Sequence, residues 1–260
     1  SGKEWLQHSF SIWRDINKNS EERKLKHPAM FPIQLAEKLI RIFTKDTSEL
    51  ILDPFAGVGS TLIAARNSQR KGIGFELSEE YCKITKQRLS EYQSTLSTTP
   101  KEISNATIFK HDSRLAFDKY LTKNSVDLCI TSPPYWDILN QKRTVDKKEI
   151  KNYSLSEEDL GNITDYNAFL EDLKKVFSQV YSVLKPNKRC CVVVMDIRKK
   201  NKFYPFHIDL TKVMEEIGFE LEEFVIWDRQ HEYNNMKTLG YPWVFRFNKV
   251  HEFICIYVKN

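Results

Sequence analysis

A chain of 260 residues, 41% hydrophobic and 29% charged, can bury one substantial core and reads as an ordinary globular domain, with no apolar run near the roughly 20 residues of a membrane span. The net charge of +5 fits a polyanionic partner without proving one. Five cysteines (Cys82, Cys129, Cys190, Cys191, Cys255) without Cys-x-x-Cys spacing, and six histidines without a close pair, speak against a disulfide framework and against a metal site. The expected setting is therefore a reduced cytoplasm, with no membrane partner. Ser1-Gly2 looks like the remnant of a cleaved tag, and residues 3–260 are taken as a single domain.

In chain order, Glu49 to Phe55 is an apolar run that predicts a buried strand, broken at Gly57 and followed by a helix from about Ser60. Gly72 to Leu77 predicts a second strand ending at Glu76, and Ser78-Glu79-Glu80 caps a long helix toward Leu96. Ala106 to His111 predicts a third strand, with a short helix after Asp112. Val126 to Thr131 predicts a fourth strand, ending at a pair of prolines that cannot continue a ladder. Helical spacing from Asn167 to Leu184 stops at Pro186-Asn187, and Cys190 to Met195 is a fully apolar strand. Leu210 to Ile217 predicts a helix stopped by Gly218. The last two strands, Phe219 to Trp227 and Glu252 to Val258, follow each other without a helix and so form an antiparallel pair. Alternating strands and helices imply an α/β fold with a mostly parallel sheet, whose ligands bind at the carboxyl ends of the strands.

Two sites stand out against that frame. In Asp53-Pro54-Phe55-Ala56-Gly57-Val58-Gly59-Ser60-Thr61, two glycines allow backbone to approach a ligand closely and Ser60-Thr61 can cap the helix. Glu76 lies about 20 residues further on, where a carboxylate can accept from both ribose hydroxyls, and Asp112 ends the third strand in the same way. The loop is shorter than a pyrophosphate cradle, which favours a nucleoside without phosphates. The second site, Thr131-Ser132-Pro133-Pro134-Tyr135-Trp136, suits an exocyclic amine. That nitrogen is a poor nucleophile until its N–H groups are held by acceptors. Ser132 and the Pro133 carbonyl can serve, with the Tyr135 ring stacking on the base. The sequence has no Pro-Cys dipeptide, so methylation of the cytosine ring carbon through a covalent cysteine lacks a nucleophile.

These residues resemble the amino-methyltransferases of DNA, the restriction-modification family that makes N4-methylcytosine or N6-methyladenine, and the resemblance spans nearly the whole chain. It implies a Rossmann-like S-adenosylmethionine-dependent methyltransferase fold of seven strands, the last antiparallel. It implies S-adenosylmethionine as cofactor, no metal, and double-stranded DNA with a flipped target base as partner. A cognate restriction endonuclease is compatible but not physically required, and the origin implied is prokaryotic or phage. By the same resemblance Ser132, Pro133, Pro134 and Tyr135 are catalytic. The cofactor set is His27 and Phe31, from the segment His27-Pro28-Ala29-Met30-Phe31-Pro32, with Asp53, Pro54, Phe55, Ala56, Gly57, Gly59, Ser60, Thr61, Glu76, Leu77, Asp112 and Ser113. Asp53 and Gly57 fall near the methionine end, Glu76 on the ribose and Asp112 near the adenine amine.

The cofactor motifs precede the catalytic one, leaving only 136–165 and 229–250 as small target-recognition insertions. Trp136, Lys142, Arg143, Lys147 and Lys148 in the first, Arg198 and Lys199 in a second basic cluster, and Arg229 are the candidate DNA contacts. Tyr241, Trp243, Phe245 and Phe247 alternate at period two and are read mainly as packing between the last two strands. A serine at the head of the tetrapeptide is typical of cytosine-N4 members, and Asp or Asn of adenine-N6 members. Cytosine N4 is therefore the first choice of target and adenine N6 the alternative, with RNA or an inactive nucleic-acid-binding subunit further behind.

Overall fold

The computed structural model describes residues 6, 9–25, 30–95, 105–137, 160–199, 201–233 and 243–260. The sequence-derived sites His27, Lys142, Arg143, Lys147 and Lys148, with Tyr241, lie outside the described residues. The strands are β1 (Ile12–Trp13), β2 (Leu50–Asp53), β3 (Lys71–Glu76), β4 (Ala106–Lys110), β5 (Val126–Thr131), β6 (Leu184–Val194), β7 (Ile197–Lys199), β8 (Lys202–Tyr204), β9 (Phe219–Asp228) and β10 (His251–Lys259). The helices are α1 (Ser20–Lys24), α2 (Ile33–Phe43), α3 (Ser60–Asn67), α4 (Glu79–Thr95), α5 (Tyr166–Val183) and α6 (Phe206–Ile217).

The main sheet runs in the order β1-β9-β10-β6-β5-β2-β3-β4. β10 is antiparallel to both neighbours, β6 and β9, while β2, β3, β4, β5 and β6 pair in parallel, as expected. The sheet has eight strands rather than seven, because Ile12 and Trp13 add a two-residue edge parallel to β9. Both faces are covered, and the strands alternate accordingly. Leu52, Cys129, Val192 and Cys255 enter one apolar cluster with Phe117, Phe169 and Phe177, while Ile51, Leu128, Val193 and Ile254 enter the other with Leu35, Leu39 and Ile63. All five cysteines are buried free thiols.

Three local readings change. The short helix after Asp112 does not form: the Asp112 carboxylate accepts from the Arg114 guanidinium and backbone N–H, and Ser113 Oγ donates to the Pro54 carbonyl at 2.6 Å, bonds that compete with a helical turn. Pro186 and Asn187 end α5 but do not delay the next strand. β6 begins at Leu184 and takes them up in a bulge opposite β5, with Asn187 at φ 61°. The basic cluster at 198–202 belongs to a small hairpin, β7–β8, paired from Ile197↔Tyr204 to Lys199↔Lys202. Gly218, at φ 114°, ends α6 as its residue type requires.

Ahead of the sheet, Asn19 and Glu22 form a capping box on α1, and the buried Glu22 carboxylate also accepts from the Ile33 N–H at 2.7 Å. One carboxylate thus serves two helix starts and fixes the approach of the 30–32 segment toward the carboxyl end of β2.

Candidate active site

The carboxyl ends of β2 and β5, with the loop that follows β2, converge on one narrow cleft of about 30 Å³. Phe31, Asp53, Phe55, Ala56, Gly57, Ser60 and Ser132 line it, together with Met30 and Val58. Seven residues from the sequence reading, drawn from the 27–32 segment, the glycine loop and the tetrapeptide, therefore share one space. Met30 was not singled out, although it lies inside the same segment as Phe31.

The glycine loop is held from several sides. The Ala56 N–H donates to the Phe75 carbonyl at 2.9 Å, Thr85 Oγ1 donates to the Gly57 carbonyl at 3.0 Å, and Arg88 donates to the Val58 carbonyl. Gly59 sits at φ 82° as the N-cap of α3, and a Cβ there would lie 2.4 Å from Thr85 Cγ2, so neither conformation nor space admits a side chain. With no cap side chain, the first turn of α3 keeps amides for a ligand. Ser60 Oγ is buried without a hydrogen-bond partner.

Asp53 lies beneath the cleft at 1% exposure. Its carboxylate accepts from Thr131 Oγ1 at 2.6 Å, Thr61 Oγ1 at 2.6 Å and the Phe55 N–H at 3.0 Å. Burial pushes its pKa up to about 6, against the lowering effect of these three donors. Thr131 was missed as a functional residue. Its signal is a lone hydroxyl at the end of an apolar strand, and its partner is remote in sequence.

Glu76 stands at the end of β3, where its carboxylate accepts from the N–H groups of Gly57 at 2.9 Å and Ser78 at 2.7 Å. Leu77 follows, half-buried. Asp112 is turned toward Arg114, which also reaches Asp172 at 2.8 Å. Burial raises the Asp112 pKa, but the Arg114 bonds outweigh it and hold the carboxyl below its ordinary value.

Ser132 is half-buried at the cleft, and the hydroxyl of the half-buried Tyr135 donates to Glu252 Oε2 on β10 at 2.8 Å. Trp136 departs from its expected place on a DNA-contacting surface. At 3% exposure and φ 50° it packs edge-on against Tyr166 and Tyr204, each 5.1 Å away, beneath Lys199 Nζ at 3.8 Å from the ring. An indole is large enough to add to the core, and this one does so immediately after the rigid prolines. Lys199 is paired with Asp137, and Arg229 with Glu232 and Glu252, so two of the expected phosphate contacts already hold carboxylates. Arg198 is exposed, with its guanidinium 5.4 Å from the Phe203 ring.

The period-two aromatics also differ from expectation. Trp243, Phe245 and Phe247 are 90%, 75% and 82% exposed, because β10 begins only at His251 and the preceding segment leaves the sheet. Arg246 donates to Asn201 beyond β7, and Lys249 Nζ lies 4.2 Å from the Phe203 ring, which joins this segment to the β7–β8 hairpin. Among the described residues no three His, Cys, Asp or Glu side chains are placed to hold a metal ion, and no helix is long and apolar enough to cross a membrane.

This sheet, with its antiparallel strand inserted beside β6 and its cleft at the strand ends, defines the fold of S-adenosylmethionine-dependent methyltransferases. One such enzyme, from Methanosarcina mazei, superposes with a TM-score of 0.52 at 13% identity, over 85% of this chain and 96% of that one. The chain belongs to the DNA methylase family of N6/N4 methyltransferases, whose pattern it matches over residues 2–87 and 126–260. Among curated relatives, the orphan methyltransferase M.BamHII of Bacillus amyloliquefaciens is 39% identical over 87 residues, 32% of each chain. The type II methyltransferase M2.LlaDCHI of Lactococcus lactis subsp. cremoris is 40% identical over 81 residues, 31% of this chain and 30% of the relative. The similarity thus spans about a third of the length of these relatives.

Proposed function

We propose that the chain transfers a methyl group from S-adenosylmethionine to the exocyclic N4 amine of a flipped cytosine in DNA. The observation that carries this reading is the shared cleft: Ser132, head of the Ser-Pro-Pro-Tyr string, lines the same space as Asp53, Phe55, Gly57 and Ser60 of the nucleoside loop. Family membership and the names of the curated relatives, both methyltransferases, support the reaction class.

The residues present fit the cofactor. Ser60 Oγ is a buried hydroxyl in want of a partner, the Gly57–Gly59 turn admits close approach, and Glu76 brings a carboxylate to the glycine loop at the Gly57 N–H. Phe31, Met30 and Phe55 would shield the apolar parts, and buried Asp53 places a carboxyl below the cationic end. S-adenosylmethionine, when bound, supplies an activated methyl group on a sulfonium. The chain's own residues position the amine. The Ser132 hydroxyl and the Pro133 carbonyl accept its two N–H groups, which localises the nitrogen lone pair for in-line attack. Tyr135 stacks on the base, and the surplus proton leaves to solvent after transfer. No covalent enzyme intermediate is required, in keeping with five buried cysteines.

DNA would lie across the β7–β8 hairpin and the 243–249 segment, which carry Arg198, Lys202 and Arg246 together with the exposed rings of Trp243, Phe245 and Phe247. Positive charge serves the phosphates, and exposed aromatic faces suit bases that have lost their stacking partner. Ser132→Ala is expected to lower kcat about a hundredfold while leaving S-adenosylmethionine affinity nearly unchanged, measured by steady-state methyl transfer and equilibrium dialysis. Equal loss of both, or loss of neither, would remove Ser132 from the reacting centre.

A further inference from the structure

We infer that Glu252 is the positioning residue for Tyr135: its carboxylate, carried by the last strand, anchors the hydroxyl end of the ring on which the extruded base stacks. The inference rests on the proposal that Tyr135 receives the base, and it assigns a role to a residue outside both sequence motifs.

The geometry is specific. Tyr135 is half-buried and follows two prolines whose own φ angles are fixed, yet its side chain can still turn about its own torsions. Its hydroxyl donates to Glu252 Oε2 at 2.8 Å, across 117 residues of sequence. Glu252 is itself 6% exposed, and its other oxygen, Oε1, accepts from Arg229. With both oxygens engaged the carboxylate cannot swing away from the ring. Arg229 is held in turn: it donates to Glu232 Oε2 through two nitrogens at 2.6 and 3.1 Å, its guanidinium lies 4.6 Å from the Trp227 ring, and its backbone N–H donates to the Val250 carbonyl at 2.7 Å. The chain of contacts runs from the antiparallel pair β9–β10, a more precise support than a loop, to the hydroxyl of a loop tyrosine.

Such an arrangement does two things for a stacked base. It limits the swing of the side chain before the base arrives, so less is lost on stacking. It also gives the phenol a charge-assisted hydrogen bond that a phenylalanine could not donate. A purely structural staple between the loop and β10 would instead act on folding alone.

The test is a double-mutant cycle on the full chain: Tyr135→Phe, Glu252→Leu and the two combined, with Glu252→Gln as a conservative variant that keeps the fold if the leucine does not. Each single change is expected to lower kcat/KM for unmethylated genomic DNA about tenfold, with S-adenosylmethionine affinity within about twofold of the parent. The combined variant should be no worse than either one. A second readout needs no turnover: in the cofactor-free chain carrying ¹³Cζ-tyrosine, Glu252→Gln should shift the one resonance that Tyr135→Phe deletes. Losses that multiply in the combined variant, a Glu252 change that leaves kcat/KM untouched, or an unmoved Tyr135 resonance would overturn the assignment. A parent chain that methylates no DNA would sink the function beneath it, whereas multiplying losses in an active chain sink the positioning role alone.

Discussion

Asp53 shows what a single residue can report about this site. Burial raises its pKa to about 6, above the ordinary carboxyl value of 3.8, although Thr131, Thr61 and the Phe55 N–H favour the charged form. The folded chain therefore holds a proton more tightly than the unfolded chain between those two values. Stability from this group is present at low pH, falls as pH rises through that window, and is level above about 6. A cationic ligand placed over Asp53 favours ionisation and must expel that proton whenever the pH lies below about 6. S-adenosylmethionine affinity, followed by calorimetry from pH 8 down to pH 5, is accordingly expected to be flat at first and to weaken below about 6. Asp53→Asn should bind more weakly at pH 8 and lose the pH dependence; a variant that keeps the same profile would show that Asp53 does not face the cationic end.

Residues at strand ends were legible because the sequence itself announces them. Asp53, Glu76 and Ser132 each close an apolar run, which marks their place at the carboxyl edge of the sheet, whereas Asp112 in the same kind of position is taken up by Arg114. Thr131 and Glu252 were not legible, since their meaning depends on partners 78 and 117 residues away. Trp136 was misread because an aromatic after a catalytic loop looks the same in sequence whether it faces a base or the core.

At the scale of elements, the turn between β2 and α3 is the part with least tolerance. Gly59 has a left-handed backbone, and a methyl group there would meet Thr85 Cγ2 at 2.4 Å, on a side chain that also anchors the Gly57 carbonyl. Gly59→Ala combines conformational strain with that clash and is expected to destabilise the fold by about 2 kcal/mol, read from the urea midpoint, and to weaken cofactor binding at temperatures where the chain is still folded. Unchanged stability and affinity together would mean that the turn can relax. The long elements were predictable because their patterns are sustained: α5 buries Phe169, Leu173, Val176, Phe177 and Val180 at helical spacing, and β5 is buried throughout. Short elements carry too few residues to show a period. β7 and β8 have three residues each and read as a run of charge, and the two-residue β1 left no signal at all.

The molecule as a whole separates its tasks along the sheet. Its centre, the carboxyl ends of β2 and β5, supplies the cleft; its antiparallel end supplies Glu252 on β10 and Arg229 just after β9; and the hairpin with the 243–249 segment offers aromatic and basic side chains to solvent. A net charge of +5 is modest, so the gathering of Arg198, Lys202 and Arg246 in the hairpin and the adjoining segment matters more than the total. The fold class was available from alternating strands and helices, but the exposure of Trp243, Phe245 and Phe247 was not, because a period of two is equally consistent with a packed strand and with an extended segment lying outside the sheet.

The most direct test of the account is to incubate the full chain with tritiated S-adenosylmethionine and unmethylated genomic DNA, digest to nucleosides and identify the labelled product by mass spectrometry. Label in N4-methyldeoxycytidine is the predicted result. Label in N6-methyldeoxyadenosine would keep the cleft and the chemistry of Ser132 but overturn serine as a marker for cytosine, and DNA without label, under conditions where the chain binds S-adenosylmethionine, would contradict the proposed function.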